Sequence, residues 1–293
     1  MSSRKHRPRL TQARAPLTRA IEVLNEHGVR SSISIPAERP LTIYVDKREL
    51  VTLMTLGAQP ELLVLGYLRN QRLIQSLDDI GSITVDWEVG AAAVRTRSGI
   101  DRIEERTARR VVTTGCGQGS VFGDLMDNIE SVLLPASRLS QSDLYAITGI
   151  MRNQESIYKA AGSVHGCALF RGRDMLVFVE DVGRHNAMDT ISGWTWMHPV
   201  ELAEPASEDG DAGLAFYTTG RLTSEMVIKS AQMGVSIVIS RSGITEMGHE
   251  VAAQLGLCTI GRALNKHFFC FTGAHRLDLQ PDLLNSAPLR AVA

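Results

Sequence analysis

The sequence predicts an α/β protein, and two stretches of different character indicate it. Residues 33–105 are rich in strand patterns and contain one helical pattern. From about residue 140, helical patterns alternate with short apolar strands such as 235–239. Continuous apolar strands between helices are typical of a sheet that helices cover on both faces. We therefore expect a smaller, strand-rich N-terminal α/β domain over 33–134 and a larger α/β domain over 135–293.

Alternation of apolar residues and turn signals define the N-terminal elements. Asp46 and Lys47 mark a turn between two strands, which predicts a hairpin, and Gly90 separates two further strands. Pro60 is placed in the first turn of a helix, where its missing N–H costs nothing. The predicted elements are strands over 41–46, 50–55, 83–89 and 92–96 and a helix over 59–68.

Helical periodicity and apolar runs define the C-terminal elements. Gly234 and Gly256 follow two of the helical patterns and are expected to end those helices. The predicted helices are 143–161, 186–194, 224–233 and 246–255, and the predicted strands are 175–179, 214–217, 235–239, 258–260 and 268–271. Residues 198–213 contain five acidic residues and two prolines, and we expect a surface insertion there.

Composition excludes several classes of protein. The chain has 293 residues, of which 44% are hydrophobic, so it can bury a sizeable core, and its net charge is −1. This balance argues against a general nucleic-acid binder or a membrane-surface protein. No run approaches the roughly 20 apolar residues of a membrane span, and the first residues lack the apolar segment of a secretory signal. The four cysteines form no C-x-x-C pair, and we expect a reducing, cytoplasmic environment.

The N-terminal segment 1–32 begins with a strongly basic stretch. Six basic residues precede the first acidic residue, Glu22. Such a segment could contact an anionic partner, but a solvated, disordered tail is the interpretation that we favour.

Cys116 is the residue with the clearest chemical potential. It lies in the stretch TTGCGQG, between glycines that have no side chain to pack against it. A thiol that reacts needs access and a supply of thiolate, and a glycine-rich loop provides the access. From the local sequence alone, a reactive thiol and an accidental loop cysteine are equally acceptable interpretations.

Two similar turns follow predicted strands and precede predicted helices. One contains Arg221 within TTGRLTSEM, and the other contains Arg241 within SRSGITEM. In open α/β sheets, ligands bind beyond the carboxyl ends of the strands, and helix N-termini there attract phosphates. Arginine adds charge and paired hydrogen bonds. Ordinary helix capping by serine and threonine is the alternative, but two such turns in succession favour a phosphate-bearing ligand.

Two further clusters of polar residues allow chemical interpretations. EDVGRHN, residues 180–186, brings four ionisable side chains to the end of a predicted strand, which favours acid–base or ligand-orienting work over a structural turn. His165 and Cys167 suggest zinc, but the H-x-E and C-x-x-C of zinc deaminases are missing. Cys258 and Cys270 lie in apolar strands and are expected to belong to the core.

Taken in order, these motifs resemble those of a known family. The segments TTGCGQG, GSVHGCALF, EDVGRHNAMD, TGRLTSEMVIKSAQMG and SRSGITEMGHEVAAQLGLCTIGR are similar to those of the formate dehydrogenase accessory sulfurtransferases, FdhD. The resemblance covers about residues 40–277. It implies a C-terminal cytidine-deaminase-like α/β/α domain that has lost its zinc, beside a smaller N-terminal α/β domain, and it implies a homodimer.

The resemblance also implies a function. Members of the family look like sulfur carriers, which take persulfide sulfur from a cysteine desulfurase and pass it to the molybdenum bis-guanine-dinucleotide cofactor. That cofactor is the bound substrate and then enters formate dehydrogenase. No metal ion bound directly by the protein, no nucleic acid and no membrane partner are expected.

The resemblance assigns roles to particular residues. Cys116 takes the position of the persulfide cysteine. The cofactor-binding segment of the family corresponds to Arg262, Ala263, Leu264, Asn265, Lys266 and His267, to which we add Arg221 and Arg241 from the two turns. This chain departs from the family's C-x-x-C, because Gly119 stands where the second cysteine is common. A non-catalytic chaperone for the same cofactor is therefore the alternative function, and a zinc hydrolase rests on analogy of fold alone.

Overall fold

The computed structural model describes residues 7–100, 103, 132–199 and 213–284. Cys116 lies outside these residues, as does most of the predicted acidic insertion. The described strands are β1 (Arg9–Leu10), β2 (Thr18–Leu24), β3 (Arg30–Pro36), β4 (Arg39–Val45), β5 (Arg48–Thr55), β6 (Ile80–Asp86), β7 (Ala91–Thr96), β8 (Leu139–Ser140), β9 (His165–Arg171), β10 (Asp174–Asp181), β11 (Leu214–Thr218), β12 (Ile237–Ser240), β13 (Cys258–Leu264), β14 (His267–Thr272) and β15 (Leu277–Asp278). The described helices are α1 (Pro60–Asn70), α2 (Gln141–Asn153), α3 (Ile157–Ala161), α4 (Arg184–Met197), α5 (Ser224–Gln232) and α6 (Glu246–Leu255).

The N-terminal sheet has five strands in the order β1-β6-β7-β4-β5. The predicted hairpin is confirmed as β4–β5, and both residues of its turn, Asp46 and Lys47, have positive φ. Two successive residues with positive φ match the twist of the strands they join. The predicted helix is confirmed as α1, which buries Leu63, Val64 and Leu68 against this sheet.

The prediction of a disordered tail over 1–32 is wrong for most of this segment. β1 pairs with β6 in the five-stranded sheet, and β2 and β3 form an antiparallel hairpin that extends to Pro36. Alternation explains this hairpin, because Ile21 pairs with Ile33 on one face. The Asn25 side chain accepts hydrogen bonds from the backbone of His27 and Val29 and fixes the turn. The many basic residues of this segment favoured a disordered tail in the sequence prediction over this alternation of strand residues.

The second sheet has six strands in the order β10-β9-β11-β12-β13-β14. β11, β12 and β13 are parallel, and β9 and β14 are antiparallel to their neighbours. One face packs against Met188, Met226 and Val251 from α4, α5 and α6, and the other packs against Leu144 and Ile147 from α2. The prediction of a sheet covered by helices on both faces is confirmed. The relation to cytidine deaminases stays a prediction.

Two elements differ from the sequence prediction. The helix predicted over 143–161 divides into α2 and α3, because Ser156 caps α3 and the Glu180 carboxylate accepts hydrogen bonds from Ile157 N and Tyr158 N. Glu180 is distant in sequence, so no local pattern predicts this break. Strand β9 lies inside the sheet but is absent from the sequence prediction, which considers His165 and Cys167 at its start as a possible zinc site.

Glycines let α1 and α4 pack closely across the two sheets. A Cβ on Gly66 would lie 1.6 Å from the carbonyl oxygen of Asp189, and a Cβ on Gly193 would lie 2.1 Å from that of Leu62. The two backbones are therefore in direct contact, which only glycine allows. This contact ties the N-terminal sheet to the six-stranded sheet.

Within the described ranges, no helix is long and apolar enough to span a membrane.

Candidate functional site

The two predicted turns lie side by side at one edge of the six-stranded sheet. β11 and β12 are parallel neighbours, so the turns that follow them meet. Leu222 and Ile244 form a parallel bridge, Leu222 N donates to Gly243 O over 2.9 Å, and Ser240 Oγ donates to Gly220 O over 2.6 Å. The carboxyl ends of β10 and β13 lie at the same edge.

A cavity of about 590 Å³ opens at this edge. Four of the predicted cofactor-binding residues line it: Arg241, Ala263, Leu264 and Asn265. His165 and Thr219 add polar groups to its wall, and Met151 and Phe178 add apolar surface. A concave site that combines polar groups with apolar surface is typical of ligand binding.

The other four predicted cofactor-binding residues lie outside the cavity wall. Arg221 is exposed, and the guanidinium of Arg262 lies 5.7 Å from the centre of the Phe269 ring. The His267 ring lies edge-on to the same phenylalanine, and Lys266 Nζ donates to Leu283 O. The family segment therefore divides between the cavity wall and the surface outside it.

Helix α2 positions Asn265 in the cavity wall. Asn265 has a positive φ of 57°, and its backbone oxygen accepts a hydrogen bond from Thr148 Oγ1 over 3.2 Å. Its side-chain oxygen accepts a hydrogen bond from Arg152 Nη1 over 2.9 Å. Sequence reasoning missed Thr148 and Arg152, although their spacing of four places both on one face of α2.

Thr219 joins the turn that contains Arg221 to β9. Its backbone N donates to Gly166 O over 3.0 Å, and its hydroxyl accepts from Gly166 N over 3.1 Å. The His165 ring nitrogen lies 3.4 Å from the same hydroxyl. Burial, and then the charges of Arg184 and Arg221, lower the pKa of His165, so a neutral imidazole faces the cavity.

Glu180 and Asp181, the two acidic residues of the segment 180–186, have structural roles. Glu180 lines the cavity, but both of its carboxylate oxygens accept hydrogen bonds from the start of α3. Asp181 is buried and accepts hydrogen bonds from Thr55 Oγ1 over 2.5 Å and from Leu56 N over 3.2 Å. The expected acid–base role therefore does not fit these carboxylates, and Asp181 instead connects β10 to the N-terminal sheet.

A buried ion network connects α1, α4 and α5. Lys229 is fully buried, and its Nζ lies 2.9 Å from Asp189 and 3.1 Å from Glu225. Asn70 of α1 donates to Asp189 over 2.6 Å, so the network reaches the N-terminal helix. The two carboxylates raise the pKa of Lys229 against burial, and Lys229 lowers the pKa of Glu225 in spite of burial. No pattern in the sequence indicates that Lys229 is buried.

His185 completes this network as a neutral residue. Its Nδ1 lies 3.6 Å from Glu225 and has no hydrogen-bond partner among the described residues. Burial lowers the pKa of His185 to about 3, which the charge of Glu225 opposes.

We expect His185 to weaken the fold in acid. The unfolded chain binds a proton on this residue near the ordinary pKa of 6.5, and the folded chain only near about 3. Acidification between these values therefore favours unfolding, by about 1.4 kcal/mol per pH unit from this one group. Urea unfolding near neutral pH and at about pH 5 should show that His185→Gln loses less unfolding free energy on acidification than the original protein does. The matched control is His27→Gln at an exposed turn, and an unchanged slope in His185→Gln would contradict the expectation.

The described cysteines differ in environment. Cys167 is fully buried beside Thr218, and burial raises the pKa of its thiol to about 12. Cys258 is fully buried, as expected for core, whereas Cys270 is only partly buried. No cluster of three or more His, Cys, Asp or Glu residues suited to a metal ion occurs in the part of the chain that the structure describes.

Known proteins are similar to this chain in sequence and in fold. The chain is 28% identical over 254 residues to the sulfur carrier protein FdhD of Geobacillus kaustophilus, covering 86% of this chain and 93% of that protein. It is 29% identical over 241 residues to the sulfur carrier protein FdhD of Bacillus subtilis, covering 82% and 88%. The crystal structure of a protein described as a formate dehydrogenase accessory protein from Desulfotalea psychrophila has a TM-score of 0.71 at 23% identity, over 89% of this chain and 100% of that one. The fold is therefore shared with that protein.

A family model also matches the chain, and its match includes every segment that lines the cavity. It covers residues 36–278, from the end of the β2–β3 hairpin to the end of β15. The chain belongs to the FdhD/NarQ family.

Proposed function

We propose that this protein is a sulfur carrier in the maturation of formate dehydrogenase. The observation that carries the proposal is the family match over residues 36–278, together with the name, sulfur carrier protein FdhD, of relatives that align along most of their length. In this role a cysteine desulfurase supplies the sulfur as a persulfide. The chain acts in the cytoplasm as a homodimer and delivers its product to formate dehydrogenase.

Cys116 is the proposed carrier. Its thiolate attacks the outer sulfur of the desulfurase persulfide, the sulfur–sulfur bond of the donor breaks, and the donor leaves as a thiolate. An electron pair of the molybdenum bis-guanine-dinucleotide cofactor, which is the substrate, then forms a bond to the outer sulfur, the sulfur–sulfur bond breaks, and Cys116 leaves as a thiolate. The glycines on both sides of Cys116 favour the access that each of these transfers needs.

The cavity is the proposed site for a guanine nucleotide of that cofactor. Arg241 offers a charged, bidentate donor for phosphate at the end of β12, and Thr219 offers a hydroxyl. Met151, Phe178 and Leu264 offer apolar surface for the planar base. The volume of about 590 Å³ lies in the range of small-molecule sites and suits one nucleotide half.

We expect Cys116 to accept sulfur from a desulfurase. After incubation with a desulfurase and cysteine, mass spectrometry should find one added sulfur on the original protein and none on Cys116→Ala. Cys167→Ala is the matched control and should keep the added sulfur, because the buried Cys167 thiol has a raised pKa. Sulfur on the Cys116→Ala protein would refute the carrier role of this residue. Cofactor binding without any persulfide would instead favour the chaperone function, which the absence of a second cysteine at Gly119 allows.

We expect Arg241 to contribute to nucleotide binding and Arg221 to contribute little. The two arginines occupy equivalent places in adjacent turns, but only Arg241 lines the cavity. Loss of a charged hydrogen bond costs about 1.5–3 kcal/mol, so Arg241→Ala should weaken binding of GDP by about tenfold or more in calorimetry. Arg221→Ala is the matched control. Equal losses in the two variants would place the nucleotide elsewhere, and no binding to the original protein would remove this ligand class.

A further inference from the structure

The tip of the β13–β14 hairpin presents a side-chain amide at the cavity. Leu264 pairs with His267, so Asn265 and Lys266 form a two-residue turn between the strands. The backbone of Asn265 has a positive φ of 57°, a conformation that asparagine adopts more readily than most residues. Asn265 is exposed and also lines the cavity, so its side chain is accessible to a ligand there.

Arg152 fixes the orientation of this amide. Its Nη1 donates to Oδ1 of Asn265 over 2.9 Å, and Thr148 Oγ1 donates to the Asn265 backbone oxygen over 3.2 Å. A side-chain amide has one acceptor oxygen and one NH2 group that only donates. Because the oxygen faces the guanidinium, the group that Asn265 offers to a ligand is the NH2 donor. The guanidinium has several N–H groups, and Arg152 also lines the cavity, so it can donate to the same ligand.

Apolar surface for a planar base accompanies these two donors in the cavity wall. Met151 and Leu264 directly precede Arg152 and Asn265 in the chain, and all four residues line the cavity. Leu264 is 48% exposed. A base that covers Met151 and Leu264 removes this apolar surface from water and shields the hydrogen bonds that its edge forms with the donors.

The acidic residue of the cavity wall is already engaged. Glu180 is the only aspartate or glutamate among the described residues that line the cavity. Its Oε2 accepts a hydrogen bond from Ile157 N over 2.6 Å, and its Oε1 accepts one from Tyr158 N over 3.1 Å. Both carboxylate oxygens therefore hold the start of α3. The remaining charged side chains of this wall are arginine and lysine, which only donate hydrogen bonds.

We propose that Asn265, oriented by Arg152, selects a guanine base by its acceptor edge, the O6 and N7 atoms. This inference rests on the nucleotide site proposed for the cavity. Guanine carries two acceptors on that edge, and arginine is their commonest specific partner in DNA recognition. Adenine carries a donor, the N6 amino group, in place of O6, and that donor would face the NH2 group of Asn265. Two donors that face each other select against adenine.

Nucleoside diphosphates with altered bases test the edge that is read, by calorimetry on the full-length protein. IDP lacks the 2-amino group of guanine but keeps O6 and N7, so we expect GDP and IDP to bind alike. 7-deaza-GDP lacks the N7 acceptor and should bind about three- to tenfold more weakly than GDP. ADP should bind at least about tenfold more weakly than GDP. The proposal is wrong if IDP binds as weakly as ADP, or if ADP binds as tightly as GDP.

Substitutions at Asn265 are read through the ratio of the GDP and ADP affinities, because a general loss of folded protein leaves this ratio unchanged. Asn265→Gly keeps the positive φ of the turn and removes the amide, so the ratio should fall at least about threefold. Asn265→Asp keeps an oxygen for Arg152 but replaces the NH2 donor with a second acceptor. The ratio should then shift toward ADP, whose amino group can donate to that acceptor. An unchanged ratio in both variants would show that Asn265 does not contact the base.

Arg152 is tested as the residue that positions Asn265. Arg152→Ala leaves the amide free to turn and removes a donor, so the GDP-to-ADP ratio should fall at least as far as in Asn265→Gly. Arg152→Lys retains a donor for the Asn265 oxygen and should keep part of the preference. Arg173→Ala is the matched control, because Arg173 pairs with Asp143 in the first turn of the same helix, and its ratio should not change. A full preference for GDP in Arg152→Ala would refute the positioning role.

The same titrations separate this inference from the nucleotide site on which it rests. If none of the nucleotides binds the original protein, the cavity is not a nucleotide site, and the selection of a base is refuted with it. If GDP and ADP bind equally and Arg241→Ala weakens both, the nucleotide site stands and the base selection alone is wrong.

Discussion

Gly66→Ala is expected to prevent the native packing of α1 on α4. The added methyl group would lie 1.6 Å from the Asp189 carbonyl oxygen, far inside van der Waals contact, and the obstacle is backbone on a helix. The helices must separate, which also pulls Asn70 away from the Asp189 carboxylate. We expect a loss of about 3 kcal/mol or more, or no soluble folded protein, measured by urea unfolding.

Gly149→Ala is the matched control for this prediction. Gly149 also lies inside a helix, but no described atom lies within 4 Å of the position that its Cβ would take. Alanine there should stabilise the protein by about 0.5–1 kcal/mol, because glycine is the poorer helix former. If Gly66→Ala and Gly149→Ala behaved alike, the close contact of the two helices would be disproved.

Lys229→Met is expected to destabilise the protein by about 3–5 kcal/mol, because it leaves buried carboxylates without their cation. Lys229 is fully buried and contacts both Asp189 and Glu225, and it is the charge that keeps the pKa of Glu225 low. Methionine fills a similar volume, so the loss reports charge more than packing. The measurement is the free energy of unfolding in urea near neutral pH.

The pH dependence of Lys229→Met provides a second check. Without the cation, burial raises the pKa of both carboxylates above the values of the unfolded chain, so ionisation favours unfolding. The deficit relative to the original protein should therefore grow as the pH rises and shrink in acid. Lys159→Met is the matched control, because Lys159 pairs with Glu155 at the surface, where such a pair contributes about 0–1 kcal/mol. Equal losses in the two variants would show that the buried network has no special role.

Local pattern determined much of the fold. Apolar alternation and turn residues were sufficient for the β4–β5 hairpin and for α6, because each depends on contacts between residues close in sequence. The proximity of the two turns that contain Arg221 and Arg241 was also predictable, since neighbouring parallel strands place their carboxyl ends at one edge of the sheet. The basic residues of the N-terminal segment misled the prediction there, because charge on one face of a strand does not prevent pairing.

The site was predicted only in part. The sequence indicated Arg241 and the segment from Ala263 to Asn265, and these residues line one cavity. The sequence could not show that Arg241, and not Arg221, lines the cavity, because the two turns have similar sequences. It also could not reveal Thr148 and Arg152, which reach Asn265 across more than one hundred residues.

By itself, the sequence determined the α/β class, most of the elements, and the motifs that place this chain in its family. The tertiary structure alone decided which charges are buried and which turn arginine lines the cavity. The physical reason is that hydrophobic periodicity is a property of neighbouring residues. Burial, ion pairing and shifted pKa values arise only when distant segments remove water from one another.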